Sequence, residues 1–349
     1  MRRAAGALAA ALAAAVLLPA RADAHAGRVA PAATSYLARV TSAPAGVEAK
    51  VVDGDQRLWL RVASPHGVLV LGVRGEPYLR ISARGIEANT RSATWFLNRA
   101  RPLVPPREPA TPPVWKRLSA GRSTSWHEDR LHAAALAAHP AGNVQLGRWL
   151  VPLVVDGRRT QVTGTLREGA RPSLLWFWPL LLAAALVPAL LRLREARLEA
   201  AATAALAALA LAAATAARLG RELYGRPTVS GGQLALVALT CSVAAALALL
   251  RARRGWRPVA DTAIGILALY QGLALLAVLR DAYVLAVLPA WAERLAAAVS
   301  IASGAALLVA VLAAGVGEET ATDAEPPDDA PARGPRRRAG GLPAPRPRS

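Results

Sequence analysis

The sequence predicts an extracytoplasmic all-β domain, an Ig-like antiparallel sandwich, followed by an all-α region of five transmembrane helices. Three observations predict it. Up to about Arg171 the chain is polar and made of short strand-like runs separated by turn residues. From Leu174 to about Val316 it is a series of Ala/Leu runs, each near the ~20 residues that a bilayer core requires. All five histidines (His25, His66, His127, His132, His139) fall in the first half, so polar chemistry is expected outside the membrane.

Met1-Arg2-Arg3, the apolar stretch Ala4–Leu18 and the small residues after it read as a signal peptide over 1–24. The β domain is expected over 25–172. Its first strands are Tyr36–Thr41, Val47–Val52, Leu58–Ala63, Val68–Val73 and Tyr78–Ser82. Asp53-Gly54-Asp55 between the second and third is a hairpin signal. A proline-rich break follows (Pro102 to Pro113). Gln145–Val155 and Thr160–Leu166 then form a second hairpin about Asp156-Gly157. Cys241 is the single cysteine, which rules out an intrachain disulfide. The domain must stand on its apolar core, and roughly 145 residues is enough to bury one.

Within 173–316 the expected spans are Leu174–Leu191, Ala200–Ala217, Gln233–Leu250, Thr262–Leu279 and Leu295–Val316. Arginines crowd the turns at Arg192–Arg197 and Arg251–Arg257. The positive-inside rule puts those turns in the cytoplasm and the β domain outside. The tail, 317–349, is rich in Pro, Gly and Ala, changes from acidic to basic, and is expected to be a disordered cytoplasmic segment. The spans hold no histidine or methionine, and Asp261 and Arg280 sit only at span ends. They read as an anchor, not a conduit.

The formal charge of +19 raises the question of nucleic acid. The sequence argues against it. Much of the surplus is arginine beside spans, where it sets orientation, and aromatics do not interleave with a basic stripe. No nucleophile elbow, Walker glycine loop or dinucleotide fingerprint is present, so no enzymatic activity is expected.

Two places could hold a metal. Signal cleavage after Ala24 makes His25 the N-terminus, where amine and imidazole form a compact chelate for Cu(II). Cleavage after Ala22 leaves His25 third in the chain, another copper-binding arrangement. Cleavage within Ala24-His25-Ala26 discards it. The second place is Trp126-His127-Glu128-Asp129-Arg130-Leu131-His132. On a strand, His127 and Asp129 share one face and Glu128, Arg130 and His132 the other, so a joint site needs a turn near Arg130. The candidate ligands are His25, His127, Asp129 and His132, with Glu128 as an alternative oxygen donor and copper as the candidate metal. A surface strand whose charges pair with one another is the competing reading.

Gly75-Glu76-Pro77-Tyr78-Leu79-Arg80, Asn89-Thr90-Arg91-Ser92, Phe96-Leu97-Asn98-Arg99 and Trp115-Lys116…Trp126-His127 resemble a group of uncharacterised actinobacterial membrane proteins. The resemblance covers roughly residues 35–170 and implies a signal peptide, a secreted β domain and C-terminal transmembrane helices. In that group the segment after the tryptophan reads His-Asp-His-Arg-x-His. This chain keeps His127, Arg130 and His132, but has Glu128 and Asp129 at the other two places. The region around His25 separately resembles the start of secreted copper-resistance proteins of the CopC type. The function expected is a multi-pass cell-membrane protein with an extracytoplasmic binding or accessory domain, copper being the candidate ligand. The alternatives are a structural or assembly protein that binds another envelope protein, and a non-catalytic transporter component.

Overall fold

Turn chemistry and period-two alternation account for most of the β region. The computed structural model describes residues 31–98, 112–133, 144–192, 195–225 and 229–322. The expected signal segment, His25, His139, most of the proline-rich break and the tail beyond 322 lie outside these residues.

The strands in chain order are β1 (Ala33–Thr34), β2 (Tyr36–Ser42), β3 (Val47–Val52), β4 (Arg57–Val62), β5 (Val68–Leu71), β6 (Pro77–Ser82), β7 (Gly85–Asn89), β8 (Trp115–Ser119), β9 (Ser123–His127), β10 (Gln145–Val155), β11 (Arg158–Glu168) and β12 (Tyr283–Val284). A seven-stranded sheet has the order β2-β11-β10-β5-β6-β7-β8, and a three-stranded sheet the order β3-β4-β9. All recorded pairings are antiparallel. The β10–β11 hairpin closes on Asp156-Gly157, both at positive φ (46° and 83°), the backbone that a two-residue type I′ turn demands. Asp53 and Gly54 make the same excursion between β3 and β4 (59° and 79°).

One apolar cluster joins the two sheets. Leu58, Leu60 and Val62 of β4 and Trp126 of β9 are buried with Val70, Ile81, Leu153, Val162 and Leu166 of the larger sheet. Trp149 lies across its register partner Gly164. A Cβ at Gly164 would stand 2.1 Å from the Arg39 carbonyl oxygen and 2.1 Å from the Trp149 ring.

The helices are α1 (Ala93–Leu97), α2 (Trp178–Leu191), α3 (Ala196–Glu222), α4 (Gly231–Ala252), α5 (Arg257–Ala274), α6 (Leu276–Arg280) and α7 (Ala290–Thr322). Every expected span falls on helix. Three helices are long and apolar enough to cross a membrane: Arg197–Glu222, Gly231–Ala252 and Ala290–Ala314. The first expected span is the 14-residue α2, preceded by a 3-10 turn, and the fourth is interrupted at Leu275 between α5 and α6. Glycines let α5 and α7 approach closely: a Cβ on Gly304 would lie 2.6 Å from the Leu269 backbone nitrogen, and one on Gly265 2.8 Å from Leu308. The helices also extend beyond the spans expected from the sequence. They take in Arg218, Glu222, Asp261 and Glu293, all buried. These charges lie just outside the expected spans, in the turns of helix that extend them.

Residues up to Val311 form one unit, and a second begins at Leu312. Within the first, the β domain is joined to the helices by more than the chain from β11 to α2. β1 pairs with β12, in the connection between α6 and α7 (Ala33 with Val284, Thr34 with Tyr283). The Leu285 backbone donates to the Ala32 carbonyl at 2.8 Å, and Ser35 donates to Asp281 at 3.2 Å. Arg294 of α7 braces this connection by donating to the carbonyls of Val278, Asp281 and Ala282.

The Gly164 contact yields a test. Gly164→Ala forces Trp149 or β2 aside and is expected to cost about 1–3 kcal/mol, the range for overpacking a filled core. Denaturant unfolding of the purified protein measures it. Unchanged stability would show that Trp149 repacks freely.

Candidate functional site

Two buried carboxylates, Glu128 and Glu76, organise the polar contacts around β9 and α1. Glu128 follows the last residue of β9, and only 1% of it is exposed. Its carboxylate accepts hydrogen bonds from the Trp126 indole (2.8 Å), from Arg130 Nε (2.6 Å) and from Arg130 Nη2 (2.7 Å). Arg130 then donates to the carbonyls of Leu71 and Gly72 at the end of β5. A charge taken out of water persists only when paired and hydrogen-bonded, and both conditions hold here.

The second carboxylate, Glu76, accepts from Ser92 Oγ (2.7 Å), the Thr94 backbone and hydroxyl (3.1 Å each) and the Arg74 backbone (2.9 Å). Gly72 makes room for it: a Cβ there would lie 2.2 Å from Glu76 Oε1. Burial works against the Glu76 carboxylate, but Ser92 and the backbone donors outweigh it and hold its pKa below the usual glutamate range. Ser92 also caps α1. Asn98, just after α1, clips the helix to β9 by accepting from the His127 N–H (2.7 Å) and donating to the His127 carbonyl (3.0 Å). Asn89 donates to the Pro77 carbonyl and accepts from the backbones of Arg91 and Val114. Tyr78 packs edge-on against Trp126, and burial, with Glu128 and Glu76 nearby, pushes its hydroxyl pKa far up. These bonds fasten α1 and the 3-10 turn Asp129–Leu131 to the sheets.

That turn is the one a joint metal site would need, yet the histidines meet different partners. His127 Nε2 stands 3.0 Å from Asp129, whereas His132 Nδ1 bonds Asp55 and its ring packs edge-on to Tyr36 at 4.9 Å. His66 stands 2.6 Å from Asp156, which also accepts from the Gly67 N–H. Among the described residues no three His, Cys, Asp or Glu side chains are gathered as metal ligands. Glu128 is corrected as an oxygen ligand, because Trp126 and Arg130 occupy its carboxylate. His25 lies outside the described residues.

Asp55 and Asp156, read from the sequence as turn residues only, are the carboxylate partners that reasoning missed; no spacing rule connects Asp55 to His132. Burial pushes the Asp55 carboxyl above the usual range even with His132 against it. The Gly67 N–H, and then His66, hold Asp156 below it.

A further feature is the exposed face of β2, β11 and β10. Arg39, Thr165 and Arg148 form a row across the three strands, with Arg167 and Arg159 on the same face and Leu150 about half exposed. No carboxylate shares the face among the described residues of these strands. Comparison of the chain with family models, with curated proteins and with solved structures finds no match.

Two outcomes are expected. Glu128→Ala strands Arg130 and Trp126 and should cost roughly 3–5 kcal/mol, as for other broken buried pairs, read by chemical unfolding. A depressed folded pKa stabilises above the unfolded value, so the Glu76 contribution is complete at neutral pH. It is lost as pH falls below the ordinary glutamate value of about 4.3 and through the lower folded one. Glu76→Gln should therefore be less stable at pH 7 and show a shallower acid limb; parallel pH profiles would contradict this.

Proposed function

We propose that this chain is a membrane-anchored accessory protein whose β domain, an immunoglobulin-like sandwich outside the cytoplasm, binds an acidic partner at the cell envelope. All five apolar segments cross the bilayer in this reading, α2 and the α5–α6 pair included. The protein performs no catalysis, and lipid surrounds its helices. The observation that carries the binding role is the arginine face of β2, β11 and β10, exposed and without a carboxylate among its described residues. Such a face attracts anionic groups and aligns them by charge before close contact. The outward leucines Leu209, Leu234 and Leu249 support lipid contact. Binding is expected to show in the full-length protein, in nanodiscs of neutral lipid, with polyphosphate as the probe. Affinity should fall with added salt and drop about tenfold or more in Arg39→Glu/Arg148→Glu. Equal binding by that variant would remove the arginine face from the account.

Copper handling is the second reading, favoured by the imidazole of His127 and the carboxylate of Asp129 at 3.0 Å, with both groups reached by solvent. It makes His25, His127, Asp129 and His132 the ligands. Copper titration of wild type against His127→Ala and His25→Ala separates the readings; affinity unchanged by both substitutions sinks the copper site. A bound metal requires neutral imidazoles, so its affinity should also weaken below about pH 6.

A further inference from the structure

One buried carboxylate stands apart from those in the β domain. Glu293, in the first turn of α7, is 1% exposed, and neither carboxylate oxygen has a hydrogen-bond partner. Room for it is made by Gly220 of α3, where a Cβ would lie 2.3 Å from Glu293 Oε2 and 3.1 Å from Leu288. The charged groups near it are engaged elsewhere or act only at a distance. Arg218 pairs with Glu222 at 3.2 Å through Nη2, its buried Nε having no hydrogen-bond partner, and Arg294 is spent on the carbonyls of Val278, Asp281 and Ala282. Arg221 attracts Glu293 electrostatically yet gives it no hydrogen bond. Asp281, at the start of the connection, accepts from Ser35.

A second, independent observation extends this polar character along the helices. Ser300 lies seven residues after Glu293, on the same stripe of α7, about 10 Å along the helix axis. It is fully buried with an unpartnered hydroxyl. Gln271 of α5, 3% exposed, has an unpartnered amide nitrogen. With Arg218 Nε, four residues of the helical region keep a buried polar atom without a partner, which is costly for stability alone, since apolar side chains of like shape would pack there without loss. Ionisable residues buried in such regions ordinarily serve a ligand, an ion or a proton.

We propose that Glu293 is a binding site for one exchangeable positive charge, a proton or an alkali cation, at the end of the helical region nearest the β1–β12 junction. Held between Gly220 and Leu288, the carboxylate takes from solution the direct partner that no donor of the described residues gives it. Because Arg294, the next residue, braces the connection that carries β12, gain or loss of that charge acts directly beneath the β domain's second attachment. The helices therefore do more than anchor, whatever the β domain binds.

The test is infrared spectroscopy and thermal unfolding of the full-length protein in nanodiscs, wild type against Glu293→Gln. If a proton is the ligand, wild type has a protonated-carboxyl stretch at neutral pH that shifts in heavy water and is lost in Glu293→Gln. Should Gln unbalance the fold, Glu293→Asp is expected to move that band instead of removing it. With an alkali cation as ligand, the band is absent. The midpoint of wild type then rises when sodium or potassium replaces choline, and the variant does not respond. A wild type with neither the band nor the cation response holds Glu293 as an ion pair with Arg221, and the proposal fails.

Discussion

The β domain depends on the ion pair between Glu128 and Arg130. Two residues apart, they would be ordinary neighbours on an extended strand with side chains on one face. The strand stops at His127, the 3-10 turn follows, and the pair closes over it with the Trp126 indole as third donor. From there the guanidinium reaches the carbonyls of Leu71 and Gly72 on the other sheet. A single charge pair thus fixes where β9 ends, how the turn folds and how the smaller sheet meets β5. Removing one partner leaves the other buried and uncompensated, whereas removing an apolar contact leaves only a void. Position 128 therefore holds a carboxylate because Trp126 and Arg130 bond both of its oxygens.

A similar economy governs the junction with the helices. Two residues of β1 and two of β12 make a very short ladder, too small to persist alone. It persists because Arg294 satisfies the Asp281 and Ala282 carbonyls of the connection that presents β12, with Val278 of α6 beside them, and because the Leu285 N–H and Ser35 hydroxyl add bonds on either side. Long-range order at this point is bought with hydrogen bonds rather than apolar area.

The sequence made the hairpins legible, because Asp-Gly pairs at positive φ leave few alternatives: Asp156-Gly157 joins β10 to β11 where it was expected. It did not make β7, β8 and β9 legible. Gly85-Ile86-Glu87-Ala88-Asn89 carries too little alternation, and Trp115–Ser119 and Ser123–His127 are short and polar; register with neighbours makes them strands. The helices were visible as apolar runs, but their ends were not. Arg218, Glu222 and Glu293 look like loop charges until helical geometry carries them inward. The histidines were visible and their partners were not. Asp55 is 77 residues from His132 and Asp156 is 90 from His66, distances over which only the folded sheets impose proximity.

What separates a structural carboxylate from a candidate functional one is therefore the completeness of its hydrogen bonding, and burial alone does not decide it. Glu76 is met by hydroxyls and backbone N–H groups, Glu128 by Trp126 and Arg130, Asp261 by Arg251 at 2.6 Å. Each is explained by what it holds together, and replacing any of them exposes a donor that folding had satisfied. Glu293 holds nothing: no donor meets either oxygen, and Gly220 gives up a side chain to make its place. The chain has cations close by, Arg221 one residue and Arg218 two residues from Gly220 on α3, yet neither donates to Glu293. That it spends Arg218 on Glu222 instead leaves Glu293 open to a charge from outside the chain.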